Sequence, residues 1–187
     1  MLALLIIIPF AAAATSPLLA WRDPVYIIAG FAGIASMALL LLQPLLAIGL
    51  LPGLGGRKGF RIHQWVGAAV VLFVVVHVAG LWITSPPDAI DALLFVSPTP
   101  FSLWGVLAMW GVFATACLAL ARRRMRFSAR LWRYGHRILA AVIVVSSVVH
   151  AVLIQGTMES MSKWMLCSLL LLATGLAVFN VKRKRKR

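Results

Sequence analysis

Long uninterrupted apolar runs constrain this chain more than any other feature. Six stretches, at about 2–20, 25–51, 62–84, 101–121, 133–155 and 161–180, are long enough, or nearly so, to cross a roughly 30 Å hydrocarbon core as helices. Their apolarity is continuous rather than alternating, which excludes a β-barrel. With 63% hydrophobic residues and a mean hydropathy of +1.00, no separate soluble domain fits. The expectation is an all-α polytopic membrane protein, a single transmembrane domain over residues 1–187 folded as a six-helix bundle.

Read alone, a net charge of +14 suggests nucleic acid, but its distribution is a topology signal. The loop after the second stretch holds three cations, Arg57, Lys58 and Arg61. Seven more, Arg122, Arg123, Arg124, Arg126, Arg130, Arg133 and Arg137, surround the start of the fifth, and six close the chain from Lys182 to Arg187. Sixteen of the 18 basic residues thus share one side, while Arg22 and Lys163 join all four acids, Asp23, Asp88, Asp91 and Glu159, on the other. The positive-inside rule puts both termini in the cytoplasm and turns the basic face toward anionic lipid. No recognition module accompanies the charge, so nucleic acid is not an expected partner. Residues 1–20 read as a retained helix rather than a secretory signal, because no Lys or Arg precedes the run and it exceeds a usual signal core.

Punctuation fits this plan. Pro52, Gly53, Gly55 and Gly56 mark a short turn, and Ser85–Pro100 reads either as a short membrane-surface helix or as a plain connector. Ser128 is a candidate cap for the fifth stretch. Trp21, Trp65, Trp82, Trp104, Trp132 and Trp164 fall near span ends, as an interfacial aromatic belt does. Cys117 and Cys167 lie within spans with no CxxC, and read as packing residues.

All four histidines fall inside two of the apolar stretches, in matched pairs fourteen residues apart: His63 with His77, and His136 with His150. At about 1.5 Å per residue the paired rings lie about 21 Å apart, so one sits near each face of the bilayer. Fourteen steps of about 100° end about 40° short of four turns, which keeps both rings on one side of the helix. The two stretches are two crossings apart and run in the same direction, so matching depth pairs His63 with His136 and His77 with His150. Imidazole is a good axial donor to haem iron, and ionisable groups inside spans are functional candidates by default. The doubled spacing therefore reads as two haems stacked across the membrane, the inner on His63 and His136, the outer on His77 and His150.

Neighbouring residues suit that reading. Gly67 and Gly80 keep the histidine-bearing face of their helix low, as does Ala140 after His136. Ser146 and Ser147, one turn before His150, offer hydroxyls that orient a ring through its second nitrogen. Arg133, with Arg61, Arg137 and Lys58, is placed to pair with the carboxylates of the inner haem. Each feature also has an ordinary reading as helix packing or inside charge.

The segments RIHQWVGAAVVLFVVVHVAGL and LWRYGHRILAAVIVVSSVVHAVL resemble the two haem-binding helices of the ferric reductase-like transmembrane domain superfamily. That superfamily includes ferric reductases, NADPH oxidases and the membrane haem subunit of the bacterial periplasmic methionine sulfoxide reductase system. The resemblance covers about residues 25–180 and is specific in the doubled histidine spacing. It implies a bacterial inner-membrane protein with two b haems on His63, His77, His136 and His150. Such a protein carries electrons from cytoplasmic NAD(P)H through flavin to an external acceptor: a ferric chelate, oxygen, a quinone or a periplasmic redox protein. These residues contain no phosphate-binding glycine motif in a soluble segment, so the expected donor is a separate cytoplasmic flavin reductase or a membrane quinol, and the chain is the membrane subunit of an oxidoreductase. Two alternatives remain at this level. One is a quinone- or ascorbate-linked diheme cytochrome b, which usually spreads its histidines over four helices; the other is a haem-free transport or assembly subunit, against which stands the lack of acids within the spans.

Overall fold

The computed structural model describes residues 2–122 and 128–183. Arg123, Arg124 and Arg126 of the expected cytoplasmic cluster, and the tail from Lys184 on, lie outside the described residues. Seven α-helices and one 3-10 turn account for most of the described chain: α1 (Leu2–Ala14), the turn Pro17–Leu19, α2 (Pro24–Ile48), α3 (Gly56–Thr84), α4 (Pro86–Leu93), α5 (Pro100–Ala121), α6 (Ala129–Leu153) and α7 (Ser160–Arg183). There is no strand among the described residues. Five helices, α2, α3, α5, α6 and α7, are long and apolar enough to cross a membrane. The chain is a multi-pass helical membrane protein.

Local chemistry sets the helix ends. Asp23 caps α2 by accepting from Val25 N at 2.7 Å, Pro24 occupies the first helical position, and Gly49 closes the helix in the left-handed conformation at φ 69°. Ser128 caps α6 through Leu131 N at 3.2 Å, as its position suggested. α3 starts at Gly56, six residues before the apolar run, and so carries Arg57, Lys58 and Arg61 as helical residues with exposed side chains. Helix formation needs only a satisfied backbone, and Lys and Arg are good helix formers, so hydropathy underestimates this end. The Ser85–Pro100 connection contains a short helix, α4, with Asp88 in its first turn.

The first apolar stretch departs from expectation. Instead of one helix over 2–20, α1 stops at Ala14 after thirteen residues, and the chain turns through Ser16, whose hydroxyl accepts from Leu18 N. Pro17 starts the short 3-10 turn and Trp21 takes a positive φ of 65°, both incompatible with a continuing α-helix. α1 is thus not among the five helices of crossing length.

The five long helices close a ring. α3 packs on α2, α2 on α7, α7 on α6, α6 on α5, and α5 back on α3; α1 lies outside against α2 and α7, and α4 bridges α3 and α5. The ring's apolar centre is built from Leu40, Leu41, Val70, Val112, Ile143, Val144, Leu166, Leu170 and Ala173, contributed by all five helices. Small residues let the hairpin partners approach: Gly80 of α3 lies against Ala29 of α2, and Gly111 of α5 against Ile143 of α6. Many large apolar side chains, including Leu72, Val75, Val145, Leu172 and Phe179, stand exposed on the outer faces, where lipid tails rather than water would meet them.

A Cβ at Gly80 would come within 2.7 Å of the Ala29 Cβ, whereas one at Gly175 of α7 meets nothing within 4 Å. Gly80→Ala is therefore expected to lower stability by about 1–3 kcal/mol through overpacking. Gly175→Ala is expected to raise it by up to about 1 kcal/mol through helix propensity. Thermal unfolding in detergent, followed by circular dichroism, reads both signs.

Candidate functional site

α3 and α6 carry the histidines and face each other across the ring, each held by its own hairpin partner, α2 or α5. Their imidazoles meet in two cross-helix pairs. The ring centroids of His63 and His136 are 6.2 Å apart, and those of His77 and His150 are 6.4 Å apart. The expected pairing by depth is the one observed. Halfway between the levels, seven residues from each histidine, stand Val70 and Ile143, both buried in the apolar centre.

The separation itself is informative. Two imidazoles sharing a hydrogen bond would have centroids only about 5 Å apart, given a donor–acceptor distance of about 2.9 Å. Two imidazoles on opposite sides of one first-row metal ion, each with a metal–nitrogen bond of about 2 Å, would have centroids about 6.2 Å apart. Both pairs have the second spacing.

The second ring nitrogens explain the orientation. His77 Nδ1 is 2.7 Å from the Ala29 carbonyl on α2, and His150 Nδ1 is 2.8 Å from the Phe101 carbonyl on α5. A carbonyl only accepts, so each Nδ1 carries the proton and each Nε2 keeps its lone pair, the tautomer a metal ligand needs. His63 Nδ1 contacts the Gln43 carbonyl at a longer 3.3 Å, while the Gln43 amide donates to the His63 carbonyl at 3.3 Å. His136 Nδ1 is buried with no hydrogen-bond partner among the described residues. Its ring instead stacks on Trp132 at 5.1 Å and 11°, and the Arg122 guanidinium lies 4.2 Å from the centre of the indole.

Two glycines make the short contacts possible. Gly33 stands four residues after Ala29, and Gly105 four residues after Phe101. A Cβ at Gly33 would fall 3.1 Å from His77 Nδ1, and one at Gly105 would fall 2.8 Å from His150 Nδ1. Each glycine thus clears the approach to the carbonyl one turn before it.

Other sequence-singled residues take different places. Gly67 lies beside the Gln43 amide and Gly80 beside Ala29, so the sides bared by these glycines meet α2. Ser146 and Ser147 are buried, but the orienting bond to His150 comes from Phe101 rather than from a hydroxyl. A main-chain acceptor on a neighbouring helix already occupies the nitrogen they were expected to serve. Arg133, Arg61, Arg137 and Lys58 are exposed on the histidine helices. Trp132, expected as part of the aromatic belt, stacks on His136 beside the His63–His136 pair. Gly33, Gly105, Ala29, Phe101 and Gln43 went unrecognised in the sequence; Gly105 interrupts a bulky stretch, but Gly33 sits among Ala29, Gly30, Ala32 and Ala35 and gives no such signal.

The chain matches the family described as ferric reductase like transmembrane component over residues 29–147, a span that includes His63, His77 and His136. No match was found among curated proteins or solved structures. The site and fold are those of a multi-pass helical membrane protein with paired intramembrane histidines. The chain belongs to the ferric reductase like transmembrane component family, whose general business is electron transfer across membranes.

The tautomers can be read directly. Histidine ¹⁵N NMR of the metal-free protein is expected to find His77 and His150 protonated on Nδ1 and bare on Nε2. A proton on Nε2 at either residue would contradict the carbonyl contacts.

Proposed function

We propose that this protein is a transmembrane electron conduit built on two bis-histidine b haems, His63 and His136 ligating the inner iron, His77 and His150 the outer. The observation that carries this reading is the pair of cross-helix imidazole separations, 6.2 and 6.4 Å, each suited to one metal between two rings. When bound, the haems supply the one-electron chemistry. The chain's own residues do the rest.

The α2–α3 and α5–α6 hairpins hold opposite halves of each ligand pair, so the spacing across the ring is fixed by helix packing. The Ala29 and Phe101 carbonyls hold the outer rings in the ligating tautomer. Val70, Ile143 and the surrounding apolar centre keep water out between the two levels. Arg133, with Arg61, Arg137 and Lys58 on the same histidine helices, supplies cations for the inner haem's carboxylates. α1, with the short turn after it, makes the sixth crossing, which places both termini in the cytoplasm of a bacterial inner membrane. The basic face there receives electrons from a flavin reductase or a quinol, and the far side serves a ferric chelate, oxygen or a periplasmic redox protein. In this reading the chain is the membrane subunit of an oxidoreductase.

A pyridine haemochrome spectrum of the purified protein is expected to give two b haems per chain, and none would overturn the reading. Both His77→Ala and His63→Ala are expected to retain one haem of the two. A full complement of haem in both variants would remove these residues from the ligand set.

A further inference from the structure

The two histidine pairs are not equivalent, and the difference lies on the side of each ring away from its partner. In the outer pair both Nδ1 atoms are within 2.8 Å of a backbone carbonyl. In the inner pair one Nδ1 contact is 3.3 Å and the other has no partner among the described residues. A local difference in sequence accompanies it. Gly33 and Gly105 each stand four residues after the accepting carbonyl and leave the imidazole room to close in. The corresponding position after Gln43 is Ala47, and the contact there is longer.

A short bond from Nδ1–H to a carbonyl draws the proton away from the ring and makes Nε2 the better donor, which favours ferric over ferrous iron. Basic residues act in the same sense from the other end: Arg61, Arg133 and Arg137 share the inner turns of α3 and α6 with His63 and His136, and positive charge favours the reduced, less positive iron. We infer that Gly33 and Gly105 are positioning residues that make His77 and His150 the stronger iron donors, so that the haem they hold has the lower reduction potential of the two. The inference rests on the proposed assignment of two bis-histidine haems. It also gives the conduit a direction of rest: at equilibrium a single electron resides on the inner haem.

Spectroelectrochemical titration of the full chain carrying both haems tests this. Two one-electron waves are expected. His77→Ala, which keeps the inner haem, should titrate at the upper wave, and His63→Ala, which keeps the outer haem, at the lower. Gly33→Ala and Gly105→Ala push the rings off their carbonyls and should raise the lower wave alone, by about tenfold in its reduction equilibrium constant, or about 59 mV for one electron. Residual potential of His77→Ala at the lower wave overturns the inference, as does a shift of the upper wave in the glycine variants. Should a glycine variant fail to fold, the two histidine variants decide the order by themselves. A haem count below two in the parent protein defeats the underlying assignment instead, and is read independently from the haemochrome.

Discussion

An imidazole inside an apolar bundle has two nitrogens to satisfy and no water to satisfy them. Leaving a buried N–H without a partner costs about 1–3 kcal/mol, so a histidine in a span is favoured where the fold answers its ring nitrogens. In this protein Nδ1 is answered by main chain at three of the four histidines, from Gln43, Ala29 and Phe101. Each ring also meets a matching ring across the bundle, at centroid separations of 6.2 and 6.4 Å. A main-chain carbonyl behind the ring answers one of these two nitrogens, and the helix packing supplies that carbonyl.

That requirement accounts for the ring of helices. If α3 packed directly on α6, the imidazoles would crowd each other; by resting α3 on α2 and α6 on α5, the fold keeps the two histidine helices a ring's width apart. Each hairpin then has two duties. Its small residues, Gly80 against Ala29 and Gly111 against Ile143, set how closely its helices approach, and its glycines beside the histidines, Gly33 and Gly105, set how deeply the rings seat. Between the two levels Val70 and Ile143 sit in an apolar centre to which all five long helices contribute.

Much of this was legible in the sequence. Hydropathy located five crossings to within a few residues, because a span's apolarity is its own signature, and the fourteen-residue spacing placed the histidines on one helix face at two depths. Hydropathy overran the end of α1, since Ser16 and Pro17 stop the helix at Ala14 while the surrounding residues stay apolar. It also missed the first turn of α3, where cations are helical but not apolar. The anchors of His77 and His150 were invisible for a different reason. They are backbone carbonyls, which every residue has, and only the fold selects which ones an imidazole reaches. Trp132 was ambiguous because one residue type serves both an interfacial belt and a ring stack, and its partner, four residues on, settles which.

Electron paramagnetic resonance of the oxidised protein tests the central claim most directly, because the spin state of ferric haem reports its axial ligands. The account predicts two low-spin ferric centres per chain, one lost in His77→Ala or His150→Ala and the other in His63→Ala or His136→Ala. A high-spin centre in the unmodified protein, or a low-spin pair that survives replacement of all four histidines, would contradict it.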